Sequence, residues 1–115
     1  MLFIEYPKCS TCRKALKYLK DNNIEVTVRN IITDTPTKEE LISWIDKSGL
    51  EPKKFFNTCG KVYKELGLKD KVNTMSKEDI VEMLSTNGML IKRPLLINND
   101  TVLVGFKEES YSSFK

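Results

Sequence analysis

The residues best suited to chemistry are Cys9 and Cys12, in the run Cys9-Ser10-Thr11-Cys12. A C-x-x-C pair can exchange disulfides, pack inertly, or supply half of a zinc site. Structural zinc takes four ligands. Beyond the pair only Cys59 remains and histidine is absent, so no metal is expected. The missing histidine also excludes a Ser-His-Asp triad and a Cys-His dyad. A nucleophilic thiol must here be activated by a helix N-terminus, a lysine or an arginine.

The flanking pattern supplies such a setting. Leu2 to Tyr6 reads as a short buried strand, and Pro7-Lys8-Cys9-Ser10 breaks it. Cys12, Ala15, Leu16 and Leu19 then recur at helical spacing, with Lys14, Lys17 and Lys20 on the other side. The helix begins near Ser10 or Thr11, which leaves Cys9 at its N-terminus. Partial positive charge and unpaired N–H groups there favour thiolate over thiol. Lys8 and Arg13 add charge nearby. Cys12 falls on the apolar stripe. Cys9 is therefore read as the exposed nucleophile and Cys12 as the half-buried resolving thiol one turn on. Inert packing is the competing reading. A C-x-x-C after the first strand of a βαβ unit favours redox use.

Composition bounds the rest. The chain has 115 residues, 40% apolar and 30% charged, which suits one soluble domain. Its 19 basic and 16 acidic residues leave a net charge of +3, too little to imply direct DNA binding. No apolar run approaches the ~18 residues of a membrane span. The first residues lack the basic start of a signal peptide, so a cytoplasmic monomer is expected.

Ile24 to Val28 alternates and is β-branched, which predicts a second strand. Thr37-Lys38-Glu39-Glu40 is a capping box opening a helix with Leu41, Ile42, Trp44 and Ile45. Pro52 starts a short helix through Phe55 and Phe56. A further turn runs from Lys61 to Leu66, with Gly67 as its left-handed stop. Ser76 caps a helix through Leu84. Pro94 to Ile97 and Thr101 to Val104 form a hairpin about Asn99-Asp100. A last helix is read from Lys107 to Lys115. The pattern gives an α/β fold with a mixed four-stranded sheet. Segments 1–33 and 89–115 carry the strands, and 34–88 is a helical insertion between strands 2 and 3, expected over one edge of the sheet. The lysine-rich stretch from Lys61 to Lys77 reads as a solvated face, and Cys59 as incidental or as a third redox thiol.

Three segments together resemble the arsenate reductase/Spx family. Tyr6-Pro7-Lys8-Cys9-Ser10-Thr11-Cys12-Arg13-Lys14-Ala15 is similar to its N-terminal signature. Asn57-Thr58-Cys59-Gly60-Lys61-Val62-Tyr63-Lys64-Glu65-Leu66-Gly67 is similar to its middle motif, and Ile91-Lys92-Arg93-Pro94-Leu95-Leu96-Ile97 to its third. Val104-Gly105-Phe106 resembles the end of its last strand. The resemblance covers nearly the whole chain. It implies a thioredoxin-like fold, a catalytic Cys9, an active-site Arg93 and a cis Pro94, with Ser10, Thr11 and Arg13 in support. Arginine is a fixed cation suited to a thiolate or an oxyanion.

The chain departs from the family's arsenate reductases at two positions. They place further arginines where this sequence has Asn57 and Gly105. Spx regulators share the C-x-x-C and the Lys92-Arg93-Pro94-like segment and carry a longer C-terminal region. The resemblance therefore implies a thiol–disulfide oxidoreductase acting on a thiol, a disulfide or a small oxyanion. Glutathione, glutaredoxin or thioredoxin would be the electron donor, with no bound cofactor. The alternatives are a true glutaredoxin-coupled arsenate reductase and an Spx-type redox switch that binds RNA polymerase through its α subunit.

Overall fold

β1 (Leu2–Glu5) lies inside the sheet, and its alternation organises the molecule. The structure is a computed structural model describing residues 1–114, so Lys115 of the expected last helix lies outside the described residues. β1 pairs in parallel with β2 (Thr27–Asn30) and antiparallel with β3 (Leu95–Ile97). β3 pairs antiparallel with β4 (Val102–Val104), giving the order β2-β1-β3-β4. This is the expected mixed four-stranded sheet.

Successive strand side chains point to opposite faces. Phe3 packs with Ala15 and Leu19 of α1 (Ser10–Asp21), with Leu96, and with Tyr111 of α5 (Glu108–Tyr111). Ile4 packs with Leu41 and Trp44 of α2 (Lys38–Ser48), with Phe55, and with Leu84 of α4 (Lys77–Thr86). The 34–88 insertion thus covers a whole face of the sheet, which corrects its expected place over one edge. The insertion-facing side of the sheet is apolar, and an insertion at the edge would leave Ile4, Leu95 and Ile97 in water.

The helix signals act as expected. The Thr37 hydroxyl accepts the Glu40 N–H at 3.2 Å, and the Glu40 carboxylate accepts the Thr37 N–H at 3.0 Å. Ser76 and Asp79 repeat the arrangement at α4. α3 (Lys61–Glu65) is followed by Gly67 at φ 63°, the left-handed stop. Pro52 opens a 3₁₀ turn, and Phe55, Phe56 and Trp44 are buried.

β2 begins later than the alternation predicts. Ile24 is buried in the α1-side core, and its N–H donates to the Leu19 carbonyl at 2.9 Å. Its apolar side chain thus completes the end of α1 instead of starting a strand. The chain comes alongside β1 only at Thr27, whose N–H donates to the Met1 carbonyl at 2.8 Å. The Asn99-Asp100 turn stands, closed by the Asn98 N–H on the Thr101 carbonyl at 2.8 Å. Neither turn residue uses positive φ; among described non-glycine residues only Asn23 does. The last helix is short, α5 followed by a 3₁₀ turn over Ser112–Phe114. No described helix is long and apolar enough to cross a membrane.

Candidate functional site

Cys9 is the N-cap residue of α1, with extended backbone at φ −88° and ψ 122°. Its N–H donates to the Tyr6 carbonyl at 2.9 Å, and its carbonyl accepts the Arg13 N–H at 3.1 Å. The loop is thereby closed on β1. No acidic residue occupies the first turn of α1, so nothing there offsets the helix's partial positive charge.

The two thiols of the pair are displaced in opposite directions. Partial burial by itself raises the Cys9 thiol. The Cys12 N–H, the Cys12 thiol, the Arg93 guanidinium and the Thr11 N–H more than offset this by donating to its sulfur, so it lies below its ordinary value. Cys12 is fully buried. Burial pushes its thiol up to about 12, and the charges of Cys9 and Glu5 add to the rise against the Tyr6 N–H, which lowers it. Neither Lys8 nor Arg13 contributes to the Cys9 shift. Both side chains are exposed, and the cation that reaches the sulfur is Arg93.

Arg93 precedes Pro94 across a cis peptide bond. Its guanidinium carbon lies 4.9 Å from the Tyr6 ring centroid. Its Nε and Nη1 are buried without a hydrogen-bond partner among the described residues. The side chain is therefore held by the ring face and by the Cys9 sulfur.

A groove of about 360 Å³ opens beside Cys9. Cys9, Thr11 and Arg93 line it, as do Asn57 and Gly105, the two positions without arginine. Lys92 and Lys107 also face it, so among the described residues it is lined by three cations and no carboxylate. Gly105 adopts φ 80°, and a Cβ there would sit 3.4 Å from Lys92 Cε. Ser10 is exposed as the first residue of α1, and Arg13 does not line the groove. Cys59 is exposed and shares the groove with Cys9, a proximity with no signal in the local sequence. Lys107 likewise has no local signal linking it to residue 9, and Phe106 has only its place in the family-like Val104-Gly105-Phe106 segment. Glu5 is another residue missed at that level; it is the buried charged residue beside Cys12. Among the described residues, no three His, Cys, Asp or Glu side chains cluster as a metal site.

The ArsC family model matches residues 4–114. The chain belongs to the ArsC family. The chain is 49% identical over 111 residues to YusI of Bacillus subtilis strain 168, covering 96% of this chain and 94% of that one. It is 29% identical to the global transcriptional regulator Spx of Streptococcus agalactiae, over 94% of this chain and 77% of Spx. The crystal structure of an ArsC family related protein from Bacteroides fragilis superposes with a TM-score of 0.97 at 56% identity, covering 99% and 96% of the two chains. The sheet and its flanking helices are those of the thioredoxin-like ArsC fold.

Proposed function

We propose that this ArsC family chain is a cytoplasmic thiol–disulfide oxidoreductase in which Cys9 attacks and Cys12 resolves. The observation that carries the reading is the placement of Cys9 at the N-cap of α1, lining a groove with Arg93, with Cys12 buried one helical turn on. The Cys9 thiolate attacks one sulfur of a disulfide, forms a mixed disulfide and expels the other sulfur as thiolate. Cys12 then loses its proton and attacks the Cys9 sulfur. The Cys9–Cys12 bond forms, and the substrate leaves as its second thiol. Two protein thiols are oxidised and one disulfide is reduced. Glutathione, glutaredoxin or thioredoxin returns the pair to dithiol. Arg93 and the α1 N-terminus stabilise the Cys9 thiolate when it attacks and when it leaves.

The test is trapping. Cys12→Ser should accumulate a mixed disulfide at Cys9 and stop turnover of a small disulfide, and Cys9→Ser should abolish both. Turnover persisting in Cys9→Ser would sink the reading.

The likeness to Spx favours a second reading, in which the same disulfide is a switch for binding RNA polymerase. The C-terminal domain of the polymerase α subunit, used as bait, should then retain one redox form only. That outcome with no disulfide turnover would favour the switch. Arsenate is a poor third candidate. Asn57 and Gly105 bring no fixed planar cation to the groove, and lysines offer single point charges where an oxyanion is best held by bidentate donors.

A further inference from the structure

The groove beside Cys9 holds a charge imbalance that thiol–disulfide exchange alone does not use. Elsewhere Lys17, Lys38, Lys53, Lys61, Lys77 and Arg29 each pair with an acid. Lys92 and Lys107 have no ion pair among the described residues, and Arg93 Nε and Nη1 are buried there without a partner. All three side chains line the groove, and no described carboxylate does. Glu108 and Glu109, the next residues after Lys107, begin α5 and stay out of the lining. Like charges gathered in one cleft repel each other, and an anion among them relieves that cost.

The hairpin fixes where the two lysines start. The Gly105 N–H donates to the Pro94 carbonyl at 2.9 Å, which draws the segment before β3 against the segment after β4. The Lys92 N–H donates to the Phe55 carbonyl at 2.7 Å, and the Lys107 carbonyl accepts the N–H groups of Ser110 and Tyr111, each at 3.1 Å. The Lys92 stem runs over Gly105, with Cε 3.4 Å and Nζ 3.9 Å from the place a Cβ would take. Both lysines are exposed, so each reaches in from the rim on a flexible stem with an anchored root. At about 360 Å³ the groove is at the small end of ligand sites, which suits one arm of a small molecule.

We propose that Lys92 and Lys107 select the disulfide that Cys9 attacks, by holding a carboxylate on its short carbon arm; this rests on Cys9 as the attacking thiol. The preferred substrate class is a small disulfide with carboxylate-bearing arms. The Cys9 thiolate bonds to the sulfur of one arm, the S–S bond breaks, and the other arm leaves as a thiolate that takes a proton from solvent. The arm retained on Cys9 lies in the groove with its carboxylate against the two ammonium groups, while Arg93 stays with the sulfur.

A carboxylate matches these donors better than a tetrahedral oxyanion does. Each ammonium is a movable point charge that one carboxylate oxygen can satisfy, whereas an oxyanion dianion is best held by fixed planar forks. Neither lysine is among the groups that displace the Cys9 thiol. Removing them should therefore change the choice of substrate and leave the reactivity of the thiol itself in place.

The experiment uses the full chain carrying Cys12→Ser and Cys59→Ser, so that one thiol reacts and its mixed disulfide accumulates. Three disulfides of similar length are offered: the anionic 3,3′-dithiodipropionate, the neutral bis(2-hydroxyethyl) disulfide and the cationic cystamine. Intact-mass spectrometry follows the adduct on Cys9, and each rate is divided by that of free 2-mercaptoethanol with the same disulfide. At low salt the anionic disulfide should exceed the neutral one at least ~10-fold on this scale, with cystamine slowest. Added salt should shrink the difference. Lys92→Met with Lys107→Met should remove most of the preference, while the rates with the neutral disulfide and with neutral iodoacetamide stay unchanged. The charge-matched pair Lys17→Met with Lys20→Met, toward the far end of α1 from Cys9, should keep the preference. Equal normalised rates in the parent, a preference that survives loss of Lys92 and Lys107, or an equal loss in the charge-matched pair overturns the assignment and leaves the cysteine reading standing. A matching fall in iodoacetamide alkylation makes the lysines activators of the thiol and also overturns selection. Failure of all three disulfides to add to Cys9 overturns the cysteine reading and the lysine assignment with it.

Discussion

The guanidinium carbon of Arg93 stacks 4.9 Å from the centroid of the Tyr6 ring, and the Tyr6 backbone meets both cysteines. Its carbonyl accepts the Cys9 N–H, and its N–H reaches the Cys12 sulfur. One residue thus aligns the cation with the thiolate it stabilises. Tyr6→Leu should cost about 0.5–1 kcal/mol of this cation–π contact and slow Cys9 alkylation at neutral pH. Arg93→Met should go further and move the Cys9 thiol back toward its ordinary value of 9.0. The check is alkylation rate against pH. An unchanged profile in Arg93→Met would remove Arg93 from the site.

The two thiols should separate cleanly by pH. In Cys12→Ser, Cys9 should react with iodoacetamide at neutral pH faster than a free thiol. In Cys9→Ser, Cys12 should stay nearly inert, because a thiol near 12 is thiolate in roughly one molecule in ten thousand at about pH 8. Loss of the Cys9 charge will bring that value down somewhat, and burial will still hold it high. Equal reactivity of the two near neutrality contradicts the geometry.

Stability should fall in acid through Glu40. Hydrogen bonds from Arg29 at 2.6 and 2.8 Å lower its carboxyl from 4.5 to about 2. The folded value lies below the unfolded one, so the contribution is complete above about pH 4.5 and is lost as pH falls through about 2. Since the Glu40 side chain is 34% exposed, the pair is discounted to about 1–2 kcal/mol. Glu40→Gln should lower the melting temperature at pH 7 and leave it nearly unchanged near pH 2. Circular dichroism melts at the two pH values decide this.

Arsenate turnover should be weak in the native chain. Two absent arginines, at about 1.5–3 kcal/mol per charge-assisted hydrogen bond, correspond to about 3–6 kcal/mol, or roughly two to four decades in rate. Asn57→Arg should raise a glutaredoxin-coupled arsenate rate. Gly105→Arg should destabilise the fold, because φ is 80°, a backbone conformation that side-chain-bearing residues rarely adopt. Fast arsenate reduction by the unmodified chain would restore arsenate as the substrate.

Much of the fold was legible because its signals are local. Thr37 with Glu40, Ser76 with Asp79, and Gly67 fix helix ends through bonds within a few residues. The Cys9 environment was half legible. Its place at the start of α1 follows from the stripe of Cys12, Ala15 and Leu19. The acting cation does not, since Lys8 and Arg13 lie nearer in sequence and point to solvent, and Arg93 is near only across the sheet. It entered through the family resemblance. Lys107, Phe106 and the shared groove of Cys9 and Cys59 depend on tertiary packing. Glu5 was hidden in an apolar run, and the register that turns it toward α1 becomes evident only once Phe3 and Ile4 have chosen their faces.

The groove draws its walls from both divisions of the chain. The thiols and Arg93 belong to the β-bearing segments, whereas Asn57 and Cys59 come from the 34–88 insertion, which is anchored on the opposite face of the sheet from α1. Reactivity and recognition are thus separable heritages. Replacing the turn at 57–60 would reshape what enters the groove without disturbing the electrostatics of Cys9, since none of the groups that tune its sulfur lies in that turn. Exchanging that one short loop would therefore change the shape of the groove over Cys9 while leaving the groups around its sulfur in place.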